Sequence, residues 1–349
     1  MILLLFGLVG FPAQAAFTSL YVFGDGVSTT TNNLSGGSWY YGHRYSNGRV
    51  WVEVLAQRQG LTYESNKNWS YFGHYSSDLL ANINRFAPTN ANTALFAVWV
   101  INADFVDYVA TYTTNETAAW TSAINRSVTN HWQAITNLYA KGARTLVMPN
   151  AVDLMKIPAY VYSPSANKSF VRQKIIDFNT AFAGMLNQAR LSFTNITIYQ
   201  PDLFTLLDNL VTNSASYGLT NALLAGESVA ALDDPLLTDY SLNGPGTNHI
   251  FWDDLDPTAK AHAVLADFVQ QVISPVQISK IASLTSSNRL DVANIPIGLD
   301  GFVDASTNFV NWTQAQSFSS TNTPQTVLVP ASEPRQFYRL RFPFAWSWP

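Results

Sequence analysis

Four short apolar runs punctuate the first two-thirds of the chain: SLYVFG at 19–24, ALFAVWVI at 94–101, RTLVMPN at 144–150 and NITIYQ at 195–200. Each is apolar on both faces, as a strand covered by helices on either side requires. Between them lie stretches with helical spacing. Residues 47–61 place Val50, Val54, Leu55 and Arg58 on one face and stop at Gly60, a helix-ending signal. Residues 117–140 and 170–192 predict two further helices. A last helix is expected from DPTAKAHAVLADFVQQV, with Pro257 in its first turn. Strands alternating with helices predict right-handed crossovers and an α/β fold with a parallel, doubly wound sheet.

The texture changes after about residue 275. Ser, Thr, Asn and Pro become frequent, apolar runs shorten, and TVLVPA and QFYRLRF read as strands, so a small β-rich module is expected at 276–349. Its ending, FYRLRFPFAWSWP, suits either module core and docking surface or an exposed sugar-binding platform. At the other end, MILLLFGLVGFPAQAAF has an apolar core from Ile2 to Phe11. The small-x-small triplet Ala13-Gln14-Ala15 follows it. That pattern predicts a signal peptide over 1–15 and a secreted or periplasmic product, with a buried first strand as the alternative. The main domain then spans 16–275.

Composition narrows the function. Only 12% of residues are charged and the net charge is -4, which gives no basic footprint for nucleic acid. A hydrophobic share of 47% predicts a well-packed globular protein. No later run is long enough to span a membrane. With no cysteine, disulfides are excluded, and no motif calls for a metal or cofactor. A small-molecule or glycan ligand is the partner such a fold leaves open.

In such sheets, ligands sit beyond the carboxyl ends of the strands. Four segments belong there: Gly24-Asp25-Gly26, NWSYFGHYSS at 68–77, VINADF at 100–105 and FWDDLDPT at 251–258. In this order they resemble the blocks of the SGNH or GDSL hydrolase family of esterases and lipases, over about residues 18–272. The segments YSNGRVWVEVLA and KGARTLVMPNAVDL are similar to connecting segments of its bacterial members. The resemblance implies a flavodoxin-like sheet flanked by helices, a serine nucleophile, a histidine base with an aspartate three residues before it, and an oxyanion hole.

Carried over by position, the reacting groups are missing. Gly26 stands at the serine position and Asp256 at the histidine position. Ala103 replaces the oxyanion asparagine, with Asn102 one place early, while Gly73, Asp25, Asp104 and Asp253 match. Without a hydroxyl at 26 there is nothing to acylate. An aspartate is a weak base and lacks the two-nitrogen geometry that links nucleophile to orienter. Among substitutes, Ser28 is expected to cap a helix. His74 and His249 are candidate bases near the cleft, whereas His43, His131 and His262 are expected on loops or helix surfaces. Asp25, Asp104, Asp253, Asp254 and Asp256 could instead converge as an acid/base or Ca²⁺ cluster. The expectation is an esterase-like protein that binds a carbohydrate or ester ligand. Hydrolysis by a rearranged carboxylate-and-water or His-assisted site is the alternative.

Overall fold

The computed structural model describes residues 17–34, 36–111, 116–343 and 347–348, so the expected signal peptide lies outside the described residues. The chain divides into two compact units. One comprises Phe17–Gln57 with Leu61–Ile273; the other runs from Ser274 onward and includes Arg58–Gly60.

The first unit is built on a parallel sheet of β1 (Leu20–Gly24), β2 (Leu95–Trp99), β3 (Thr145–Val147) and β4 (Thr197–Tyr199), in that spatial order. Every residue of β1 and β2 is buried, which is why their sequences show no alternation. Leu20 pairs with Leu95 and Gly24 with Trp99, so the two strands end level. Along the far side of β1, the Trp69 N–H donates to the Val22 carbonyl at 2.8 Å and Asn68 bridges Val22 in parallel. The chain thus leaves β1 for one side of the sheet and crosses back past it to β2. Such a reversal of strand order opens a crevice at the carboxyl end of β1.

Helices α1 (Trp51–Arg58), α4 (Thr117–Ala140), α5 (Ser165–Ser192) and α7 (Ala259–Ile273) occupy the stretches with helical spacing. Three more were not foreseen: α2 (Ser76–Arg85), α3 (Ile101–Thr111) and α6 (Leu203–Thr212). The α1 helix is shorter than its pattern. It ends where Gly60 takes φ +70 and the Leu61 N–H donates back to the Ala56 carbonyl at 2.8 Å, a glycine-dependent stop. In α7 the first turn also differs. Thr258 caps it, its Oγ1 accepting from the Ala261 N–H, and Pro257 stands one residue outside. The same hydroxyl donates to the His249 carbonyl at 2.7 Å. Thr258→Ala removes both bonds and is expected to cost about 1–2 kcal/mol, read as a lower denaturant midpoint with an unchanged slope.

The second unit holds two antiparallel sheets. One orders β10 (Thr313–Phe318), β9 (Gly301–Ser306), β12 (Phe337–Arg341) and β13 (Ser347–Trp348); the other orders β11 (Gln325–Pro330), β8 (Ser287–Ala293) and β7 (Gln277–Ser283). Val292, Val303, Val329 and Leu340 from both sheets share one core. Within the aromatic ending, Tyr338, Leu340 and Phe342 are buried in that core, while residues 344–346 and 349 lie outside the described residues.

Candidate functional site

The crevice begins where β1 turns over. A Cβ on Gly24 would lie 2.5 Å from the Ser28 Cβ, so only glycine lets the chain fold back this tightly. Asp25 caps the single 3-10 turn Gly26–Ser28, its Oδ1 accepting from the Val27 N–H at 3.2 Å. Ser28, expected as the cap, has another task. It is fully buried and accepts the Trp51 indole N–H at 3.0 Å, pinning α1 to the turn. A Cβ built on Gly26 would lie 3.2 Å from the Phe72 ring, 3.7 Å from the Tyr45 ring and 3.8 Å from Asp256 Oδ1. The structure therefore brings together Gly26 and Asp256, the two positions that the resemblance aligns with the nucleophile and the base.

Asp253 and Asp256 sit on the loop before α7 and do different work. Asp253 Oδ1 accepts the N–H groups of Leu255 and Asp256 at 3.0 and 2.7 Å, and Oδ2 accepts the Tyr40 hydroxyl at 2.8 Å. It ties the loop together. The Asp256 side chain is 3% exposed and lines the crevice. Its carboxyl takes no hydrogen bond from any described residue. Burial, then the charges of Asp253 and Asp25, push its pKa well above the usual carboxylate range. Burial likewise raises Asp25 to about 7. Burial thus favours the protonated form of Asp256, and Gly26 carries no side chain.

Of the oxyanion positions, Gly73, Asn102 and Ala103 all line the crevice. Gly73 has φ +73, which leaves its backbone open to a ligand. Asn102 Oδ1 accepts the Val152 N–H at 3.2 Å, which fixes the orientation of its amide.

The candidate substitutes fall away one by one. His74 is fully buried: Nδ1 meets the Gly24 carbonyl at 2.8 Å and Nε2 meets the Asn82 Nδ2 at 3.0 Å. Facing a carbonyl, Nδ1 carries the proton and Nε2 accepts, so neither nitrogen is free; burial also lowers its pKa. His249 Nε2 pairs with Asp234 at 2.9 Å outside the crevice, although Ile250 and Phe251 beside it do line the wall. Asp104 accepts the Ser76 N–H at 2.8 Å and holds the start of α2. His43 is exposed on a loop, as expected. His131 and His262 are not on helix surfaces but fully buried. His262 Nδ1 accepts the Trp51 N–H, and burial pushes its pKa down to about 3; His131 Nδ1 meets the Ser127 carbonyl. Of the five aspartates that could have converged, Asp25 and Asp256 line the crevice, while Asp104, Asp253 and Asp254 do not, although the charge of Asp104 reaches Asp25. Among the described residues, no group of three or more His, Asp or Glu side chains is placed to hold a metal ion.

The sequence reading missed the wall. Behind Gly26 the crevice opens into a pocket of about 170 Å³. Leu203, Leu206, Leu207 and Leu210 of α6 line it with Leu154, Ile157, Val106 and Leu265. The α6 leucines are spaced 3, 4 and 7 residues from the first, one face of a helix, and that spacing was the available signal. Among the described lining residues there is no Lys, Arg or His. No helix of the described residues is long and apolar enough to cross a membrane.

Comparison with known proteins gives this arrangement a context. The family profile of GDSL-like lipases and acylhydrolases matches residues 20–269. The chain is 21% identical to the thermolabile hemolysin of Vibrio parahaemolyticus over 260 residues, covering 70% of this chain and 61% of the hemolysin. It is 22% identical to a GDSL esterase/lipase of Arabidopsis thaliana over 210 residues, covering 56% and 58% of the two chains. It thus spans about six-tenths of the length of these curated relatives. Among solved structures, phospholipase A1 from Streptomyces albidoflavus is similar at 12% identity with a TM-score of 0.42, over 74% of this chain and 100% of that one.

Proposed function

The chain belongs to the GDSL-like lipase/acylhydrolase family, and on that premise we propose that it binds an ester-like amphiphile by its hydrocarbon chain without cleaving it through an acyl-enzyme. One observation carries the reading. At the mouth of a pocket walled by leucines, Gly26 faces a buried, unpartnered Asp256 where a serine and a histidine would stand. A hydrocarbon chain gains about 0.8 kcal/mol per buried methylene in such a wall, whereas a sugar would find few partners for its hydroxyls. The lining therefore supports an ester ligand over a carbohydrate. The leader pattern at 1–15 supports a secreted or periplasmic setting.

A fluorophosphonate probe is expected to leave no label above a heat-denatured control. A fluorescent fatty-acyl probe should bind and be displaced by decyl acetate, which is recovered intact. Serine labelling would overturn the reading. Turnover without labelling, abolished by Asp256→Asn, would establish the carboxylate-and-water alternative instead.

A further inference from the structure

The pocket wall recognises a chain; the groups around Gly26 select the head. Where a side chain is missing at 26, three groups surround the opening: the Phe72 ring, the Tyr45 ring and the Asp256 carboxyl, at 3.2, 3.7 and 3.8 Å from a Cβ placed there. The Phe72 and Tyr45 rings lie 5.4 Å apart and tilted by 42°, so they form two sides of a corner. Tyr40 extends it, 6.2 Å from Tyr45, and its hydroxyl is fixed on Asp253. Asp256 is 3% exposed, lines the pocket, and has no hydrogen-bond partner among the described residues. A carboxyl that lines the pocket and takes no bond from the described residues can accept one from a bound ligand.

Charge decides what that partner is. The titratable acids lining the pocket are Asp25, Asp107 and Asp256, and no basic side chain lines it among the described residues. A carboxylate or phosphate head would meet only carboxyls, with no basic side chain to pair with. A hydroxyl would satisfy one hydrogen bond but leave the rings unused. Aromatic rings beside a carboxyl make an arrangement that can hold an ammonium, by cation–π attraction and ion pairing together. Resting on the apolar-pocket reading above, we propose that the bound amphiphile carries an ammonium head seated over Gly26, against Asp256, Phe72 and Tyr45. The ammonium pairs with the Asp256 carboxylate, and any proton the buried carboxyl carries passes to solvent.

Calorimetry with the full chain at neutral pH separates this inference from the one beneath it. The ligands are decylammonium, decyltrimethylammonium, decanol and decanoate, each below its micellar concentration. Decylammonium is expected to bind at least about tenfold more tightly than decanol, the range that cation–π and charge-assisted contacts supply when desolvated, with decanoate weakest. Asp256→Asn should collapse the decylammonium-to-decanol ratio toward unity. Phe72→Ala, at an exposed ring whose loss spares the core, should lower the decyltrimethylammonium affinity more than the decanol affinity. If decanol and decanoate bind as well as decylammonium, the ammonium head is refuted while the apolar pocket stands. If none of the four binds, both readings fall.

Discussion

Restoring both missing groups at once, in a Gly26→Ser, Asp256→His variant, is expected to raise hydrolysis of p-nitrophenyl acetate about a thousandfold over the parent chain, with either change alone near the parent rate. The reason is cooperative. A hydroxyl without a base is not activated, and an imidazole without a nucleophile has nothing to deprotonate. The ground for both is prepared. Gly26 does not sit in the left-handed region, so serine suits its backbone, and the Phe72 ring in its way is exposed and can swing aside. Asp253 already holds the loop three residues before position 256. Steady-state rates and fluorophosphonate labelling check the outcome. A folded double variant with no activity would place the remaining defect at Ala103. Adding Ala103→Asn should then recover about 100-fold, the size of one oxyanion donor.

Asp256→Asn is expected to stabilise the free protein, and to do so more at pH 8 than at pH 5. A carboxyl whose folded pKa is raised binds more protons in the folded state. Stability is therefore full below the unfolded value near 3.8 and is lost as pH rises through the folded value. Asp25, raised to about 7, acts in the same sense between those limits. His74, His131 and His262, lowered by burial, act in the opposite sense: their stability falls as pH drops below about 6.5. The parent profile mixes both trends. The difference between variant and parent reports Asp256 together with its mutual repulsion with Asp253 and Asp25, because an amide does not titrate. The gain at pH 8 should reach roughly 3 °C or more in Tm, about 1 kcal/mol for a unit of this size. Thermal melts of both proteins across pH 5–8 check it; a gap that narrows as pH rises would refute the account.

The sheet and its crevice were legible because buried strands leave unbroken apolar runs and because loop motifs fix which strand ends matter. Gly26, Asp256, Gly73 and Asn102 were named as site positions from the resemblance to the family's blocks, and all four line the crevice. Three helices could not. In 94–101 the apolar run continues from β2 into Ile101, the first residue of α3, and only Val100 separates the elements. Period alone has no boundary to find there. The α6 helix carried a clean apolar face, yet a face says nothing about whether it meets core or cavity. Histidine roles were misjudged for a related reason. His74 and His262 meet partners 50 and 211 residues away in sequence, which no local pattern reports, while His131 bonds its own helix four residues back and is buried by what packs on that face.

The narrow pairing beside β1 and the brevity of β4 have a consequence for self-association. One margin of the sheet is flanked by residues 68–71, whose Trp69 and Tyr71 N–H groups donate to the Val22 and Gly24 carbonyls, and the other is a strand of three residues. A sheet trimmed this way offers another chain almost no ladder to extend, which guards so apolar a set of strands against fibril-like growth.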